Sequence, residues 1–178
     1  MDFRDPYEIC PTFETEHLQF WQVREDDAEG LLCFYGDLSR WMFYGNEMSN
    51  SIFSSQHATI TEMKKCIRVW LDEYKNKYYI RLTAIDKKTA KPIGSVELFD
   101  NAGDGFLAVH IDFSEKYEKS EYIGELLCLA DERFYELFGL KHIIIRATPA
   151  EKERVSALTA NGYTPLDGDS GWKDYYIK

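Results

Sequence analysis

No stretch of the 178-residue chain stays apolar for the roughly 20 residues that a bilayer-spanning helix requires, so no transmembrane segment is expected. Cysteine is scarce. Cys10, Cys33, Cys66 and Cys128 stand far apart and form no C-x-x-C pair, which suggests neither a zinc site nor a disulfide framework. Cys33, Cys66 and Cys128 fall inside helix-like patterns and read as small buried hydrophobes. Basic residues are the minority, 21 Lys and Arg against 31 Asp and Glu, for a formal charge of −10. That balance argues against general nucleic-acid binding and against adhesion to anionic membranes. It favours cationic partners such as amines, polyamines or basic peptides. The opening "MDFRDPYEIC" has no apolar stretch and does not read as a secretory leader, so the expected location is the cytoplasm. There is no internal repeat, low-complexity tract or Gly/Ser linker, and the length fits one domain over 1–178 with 1–12 as an N-terminal extension.

What is present is the material of a packed globule, with 44% hydrophobic and 15% aromatic residues, enough to exclude a disordered chain. "HLQFWQV" (17–23) alternates and reads as a strand, and "REDDAEGLLCFYGD" opens a helix with acidic residues at its start. "SRWMFYGNEMSNSIFSSQ" is irregular and aromatic-rich, as in a loop. Thr59-x-x-Glu62 is a capping-box pattern, followed by Ile60, Met63, Ile67, Trp70, Leu71 and Tyr74 at helical spacing. "YYIRLTAID" and "PIGSVELFD" form a hairpin across "KKTAK", and "NAGDG" turns into the strand "FLAVHIDF". A third helix is expected from about Ser120 to Phe138, with Gly139 as its stop. "HIIIRAT" reads as a strand covered on both faces. Thr148 then reads as the cap of a last helix with Pro149 at its first position and Glu151 closing a capping box; Asn161-Gly162 ends it. "DGDSG" is a turn and "KDYYI" a closing strand. The order β-α-α-β-β-β-α-β-α-β predicts an α/β fold with one parallel crossover.

The stretch "LAVHIDFSEKYEKSEYIGELLC" (107–128) carries the chemistry. A helix beginning at the end of a strand offers unpaired amides and the positive end of its dipole to an anion. This mouth nevertheless carries Glu118, Glu121 and Glu125 beside Lys116 and Lys119. A carboxylate ~6 Å from a phosphate charge, at an effective dielectric of about 20, opposes binding by roughly 2–3 kcal/mol before screening. Two readings stand: the acids weaken an anion site, or they only complement the helix dipole.

Four blocks in order resemble the GNAT superfamily of acetyl-CoA-dependent N-acetyltransferases, in the branch that acts on ribosomal-protein N-termini, polyamines and aminoglycosides. They are "FETEHLQFWQVREDDAEGLLCFYGD", "IDKKTAKPIGSVEL", "EKYEKSEYIGELL" and "ALTANGY", spanning roughly 13–178. The resemblance implies a mixed, mostly antiparallel sheet of about six or seven strands flanked by about four helices. It implies acetyl-CoA as cosubstrate, a small cationic amine or peptide N-terminus as acceptor, and leaves room for a homodimer. Neither nucleic acid, membrane nor metal is implied.

The family's loop, Q/R-x-x-G-x-G/A, aligns with Glu118 to Ile123, or one residue later with Lys119 at the basic position and Gly124 at the second small one. Under either register a large side chain replaces a small residue. The implied coenzyme contacts are Lys119, Ser120, Glu121, Tyr122, Ile123, Gly124 and Glu125, with backbone at Ile111 and Phe113. The family's pantetheine-binding Asn and its thiolate-protonating Tyr align with Glu151 and Leu158, so no thiolate acid is named. His110 and Asp112 share one face of their strand, and Glu97 lies on the neighbouring strand; these three are the candidate proton acceptors. A structural role for His110 is the competing reading. Trp41, Phe43 and Tyr44, with Glu47, are the candidate acceptor pocket by cation–π and ionic contact. The opposite expectation is a GNAT-fold binding module with weakened or lost coenzyme binding.

Overall fold

The structure, a computed structural model, describes residues 5–35, 59–101, 105–166 and 172–178. Trp41, Phe43, Tyr44 and Glu47 lie outside them.

Eight strands form one sheet in the order β1-β2-β3-β4-β5-β6-β8-β7. They are β1 (Phe13–Glu14), β2 (Leu18–Gln22), β3 (Ile80–Asp86), β4 (Lys91–Asn101), β5 (Phe106–Phe113), β6 (His142–Arg146), β7 (Thr164–Pro165) and β8 (Tyr175–Ile177). Every pairing is antiparallel except β5 with β6. The count exceeds the expected six or seven because β1 and β7 are two-residue strands, too short to show an alternating pattern in sequence.

Among the described residues four helices flank the sheet: α1 (Ala28–Tyr35), α2 (Ile60–Lys75), α3 (Ser120–Leu129) and α4 (Lys152–Ala160). In α2 the capping box forms as the sequence suggests, with Glu62 N–H donating to Thr59 Oγ1 at 3.2 Å and Thr59 N–H to the Glu62 carboxylate at 2.8 Å. Helix α3 continues through a π-turn at Ala130–Phe134 and a last turn at Tyr135–Phe138, then stops at Gly139 in the left-handed region (φ 64°). Helix α4 corrects the expected start. It begins at Lys152 with Glu151 as its N-cap residue, three residues after Thr148. Half of the expected pair exists, Thr148 N–H donating to Glu151 Oε2 at 2.7 Å, but Glu151 N–H goes to the Thr148 carbonyl at 3.0 Å, so the two bonds close a turn before the helix rather than the helix itself.

Two faces of the sheet are packed differently. On the α3/α4 side Leu82, Val96, Leu98, Leu107, Val109, Ile111, Ile143 and Ile145 meet Ile123, Leu126, Leu127, Phe134, Ala157 and Leu158 in one apolar core. On the other side α1 and α2 build their own cluster from Leu31, Phe34, Tyr35, Met63, Ile67 and Trp70. The period-2 alternation of β3, β4 and β5 therefore points Arg81, Thr83, Ser95, Glu97, His110 and Asp112 away from the larger core. Of the cysteines only Cys66 is buried as expected; Cys33 and Cys128 are exposed, because their helical positions fall outside the inward stripe.

Gly94 fixes the register of β4 on β5. Its φ is +152°, and a Cβ there would lie 1.9 Å from the carbonyl oxygen of Asp112, so only glycine lets the two backbones approach this closely.

Candidate functional site

The parallel pairing of β5 with β6 ends at Val109 and Ile145. Beyond it His110 to Asp112 on one side and Arg146 and Thr148 on the other border a cleft, closed off by Glu151 and Arg154. The N-terminus of α3 opens beside it, after the loop 114–119.

Arg154 occupies this place. Its side chain is 3% exposed. Nη2–H donates to the Ile111 carbonyl at 2.8 Å, and Nε–H and Nη2–H grip both oxygens of Glu118, each at 2.8 Å. Nη1 reaches the Arg146 carbonyl at 3.3 Å and Glu151 Oε1 at 3.0 Å. A bidentate guanidinium–carboxylate pair is the strong form of this contact, and burial strengthens it. What is left of the cleft is about 60 Å3, against roughly 300 Å3 or more for a pocket that takes a drug-sized ligand.

The helix mouth is partly filled as well. Ser120 N–H donates to Glu153 Oε2 at 2.9 Å and its hydroxyl to the same oxygen at 2.6 Å, and these bonds hold the Glu153 carboxyl below its usual range. Glu118 therefore serves Arg154, and a carboxylate from α4 sits on the first amide of α3. Of the other residues assigned to the coenzyme, Lys119 is exposed at the N-cap with no capping bond from its side chain. Glu121 is exposed, Tyr122 packs on Tyr117 at 5.1 Å, and Ile123 is fully buried. Gly124 has open space where a Cβ would stand. Glu125 is turned away: it accepts from Thr15 Oγ1 at 2.5 Å and from His17 N–H at 3.0 Å, tying α3 to the β1–β2 turn. Ile111 offers its carbonyl to Arg154, and Phe113 pairs with Gly94.

The three proton-acceptor candidates do come together, with a partner that the sequence did not flag. Arg81 is buried among them. It donates to Glu97 Oε2, to Ser95 Oγ at 3.0 Å and to Asp112 Oδ2 at 3.5 Å, and it stacks over the Trp70 ring at 4.3 Å. Tyr35 adds a hydroxyl donated to Asp112 at 3.0 Å. Burial opposes ionisation of Glu97, but Arg81 and His110 outweigh it and hold its carboxyl down at about 2. Burial pushes Asp112 up, with Arg81 offsetting only part of it. Both carboxylates are thus engaged by Arg81. His110 and Asp112 both line the cleft, and His110 is the one of the three candidates that Arg81 does not hold. Glu97 Oε1 stands 3.5 Å from Nδ1, and the Tyr175 hydroxyl is 2.5 Å from Nε2.

Sequence reasoning missed Arg81, Glu153, Arg154 and Tyr175. Arg154 had a signal: it shares the inward stripe of α4 with Ala157 and Leu158, at i, i+3 and i+4. Among the described residues, no group of three His, Cys, Asp or Glu side chains is placed to hold a metal ion, and no helix is long and apolar enough to cross a membrane.

Comparison with known proteins places this geometry. The model of the GNAT acetyltransferase domain matches residues 17–164. No curated protein sequence matches the chain. Among solved structures, a ribosomal-protein-S5-alanine acetyltransferase from Vibrio fischeri is 16% identical with a TM-score of 0.66, covering 94% of this chain and 94% of its own. A spermidine N-acetyltransferase from Vibrio cholerae, in complex with CoA and spermine, is 14% identical with a TM-score of 0.62, covering 85% of this chain and 83% of its own. A ribosomal alpha-N-protein acetyltransferase in complex with coenzyme A reaches a TM-score of 0.70 at 9% identity, covering 94% and 97%. At such identities the likeness speaks for the fold.

Proposed function

The chain belongs to the family of GNAT acetyltransferase domains, and we propose that it is an acetyl-CoA-dependent N-acetyltransferase acting on a primary amine. The observation that carries this reading is the break in β5–β6 pairing directly beside the N-terminus of a helix, with a histidine at the break. The acidic balance of the chain favours a cationic acceptor, a small amine or a peptide N-terminus.

The residues fit the coenzyme on one condition. At the helix mouth the amides of Glu121 and Tyr122 belong to the first turn, which has no intrahelical acceptor, and Lys119 stands beside them. Glu153 is exposed and free to swing away from Ser120. In the cleft, backbone at Ile111 to Phe113 would line the acyl arm, but only after Arg154 has left Ile111 and Glu118. Breaking a buried pair without replacement costs about 3–5 kcal/mol, or a loss of roughly 10²-fold or more in affinity. Arg154 turning from Glu118 to a phosphate exchanges one bidentate anion for another and recovers much of that.

When bound, the coenzyme supplies an acyl group activated as a thioester. The chain's own part is to hold the amine and to accept its proton. His110 is the acceptor at the cleft, because a neutral imidazole nitrogen can take up a proton and, unlike the two carboxylates, it is not held by Arg81. Glu97 fixes the ring orientation and faces any charge that develops on it.

A second reading, a GNAT-fold binding module, is favoured by the filled cleft. The two are separated by calorimetry with acetyl-CoA on the parent chain and on Glu118→Gln, which loosens Arg154 from its buried partner and keeps it free to meet a phosphate. The transferase reading expects weak binding by the parent and binding at least about tenfold tighter by the variant, with acetyl transfer to an amine in a panel. Absence of binding at millimolar ligand in both chains leaves only the module.

A further inference from the structure

Three rings on the α1/α2 side of the sheet gather about the cleft histidine. Phe99 meets His110 edge-to-face at 5.0 Å, Trp172 meets Tyr175 edge-to-face at 4.9 Å, and Phe99 and Trp172 are 6.5 Å apart. All four residues are half-buried, so their rings are neither core nor fully solvated. The register explains the meeting: Tyr175 pairs with Arg146 on β6, and Glu97 pairs with His110 across β4 and β5, so the two side chains converge from opposite sides of the same histidine. The charged and titratable groups facing that ring are Glu97 from β4, Tyr175 from β8 and Arg146 from β6. Asp112 on the same strand and Arg81 from β3 stand behind Glu97.

The Tyr175 hydroxyl lies 2.5 Å from His110 Nε2 while Nδ1 faces the Glu97 carboxylate. A carboxylate beside Nδ1 favours the tautomer with hydrogen on Nδ1, and Nε2 must then accept. The hydrogen bond therefore runs from the phenol to the imidazole. Burial pushes the Tyr175 phenol up to about 12, which keeps that proton in place at neutral pH. Both nitrogens of His110 are thus engaged, and an amine entering from the aromatic side meets Tyr175 first.

We infer that Tyr175 is the catalytic residue that meets the incoming amine, passing the proton the amine must lose on to His110. This rests on the transferase reading above. A proton leaves the ammonium nitrogen for Tyr175 Oη as the phenol's own proton moves to His110 Nε2. The ammonium becomes a neutral amine with a free electron pair, the phenol is regenerated, and one positive charge has moved onto an imidazolium facing Glu97. No bond other than these N–H and O–H bonds changes, and no further reactant is needed. The rings of Phe99 and Trp172 suit the cationic form that arrives, by cation–π attraction. The acceptor class is therefore an alkylammonium group rather than a hydroxyl or an amide.

The test combines two measurements on the full chain. The first is 15N NMR of the His110 ring in the free protein, which distinguishes the tautomers without coenzyme. The second is acetyl transfer by Tyr175→Phe, with Tyr176→Phe as the neighbouring control on the opposite face. The inference expects hydrogen on Nδ1. It expects a fall in kcat of about 10²-fold or more for Tyr175→Phe, amine KM within about threefold because the ring remains, and no change for Tyr176→Phe. Hydrogen on Nε2 overturns the relay, and so does full activity of Tyr175→Phe, with the transferase reading left standing. If the parent chain transfers acetyl to no amine, the transferase reading fails and the relay falls with it.

Discussion

On one face of β5, Leu107, Val109, Ile111 and Phe113 are buried against α3 and α4 by apolar contact alone; on the other, His110 and Asp112 join Arg81, Glu97, Ser95 and Tyr35 in a buried network of charge. The apolar face spreads its stabilisation over many interchangeable side chains, each worth a little. The charged face concentrates it, because removing one member strands the rest without solvent. Arg154 is the exception on the apolar side, a single cation carried inward on the stripe of α4 and made tolerable only by Glu118, Glu151 and two carbonyls. The cleft is the place where the two modes of burial meet.

The largest disturbance comes at the joint that both faces share. Gly94→Ala drives a Cβ to within 1.9 Å of the Asp112 carbonyl, a backbone clash for which a loss above about 4 kcal/mol is expected. Urea denaturation measures it, and a variant as stable as the parent would break the β4–β5 register described here. Next is the charged face itself. Arg81→Met leaves Glu97 and Asp112 facing each other uncompensated, and the same measurement should show a loss of about 3–5 kcal/mol. A loss below about 1 kcal/mol would mean that the two faces do not differ in kind.

Acid titration sharpens the comparison within the charged network. Glu97 is depressed to about 2 from an ordinary 4.5, so its contribution is present above about 4.5 and is lost as pH falls through about 2. Asp112 is raised above its ordinary 3.8, so what it contributes is present below that value and is lost as pH rises through its folded value. Glu97→Gln should therefore be most destabilising near neutrality, with its deficit shrinking as pH falls from 4.5 towards 2. Asp112→Asn should change in the opposite sense, losing ground relative to the parent on acidification. Stability curves at pH 7, 5 and 3 separate them, and parallel trends would refute the assignment. The smallest effect is expected on the apolar side. Glu118→Gln keeps one hydrogen bond to Arg154 and gives up the charge, for a loss of about 1–2 kcal/mol. It should also ease coenzyme binding, which calorimetry would register.

Much of this was legible beforehand. The capping box at Thr59 and Glu62 is a local device, fully specified within four residues, and the Ile143 to Ile145 run is apolar on both faces because it is covered on both. Gly139 as a helix stop needs only the freedom of its own backbone. The site was legible in part: alternation put His110 and Asp112 on one face and Glu97 on the neighbouring strand, while the register that sets Glu97 opposite His110 came from the structure. The roles of the carboxylates were not, because a charge acquires its meaning from its partner. Arg81 is 16 residues from Glu97 and 31 from Asp112, and Tyr175 lies 65 from His110. The exposure of Cys33 and Cys128 was missed for a related reason, since a helix pattern fixes which residues share a face but not which face is covered.

By itself the sequence determined the elements, their order, the apolar core and the family, because periodicity, caps and turn residues act over a few positions. Only the tertiary structure decided which carboxylate meets which cation, and hence that the cleft beside α3 is held by Arg154 and the histidine by Tyr175. Coulomb attraction and hydrogen bonding depend on distance in space, and side chains tens of residues apart acquire that distance only when the sheet has closed.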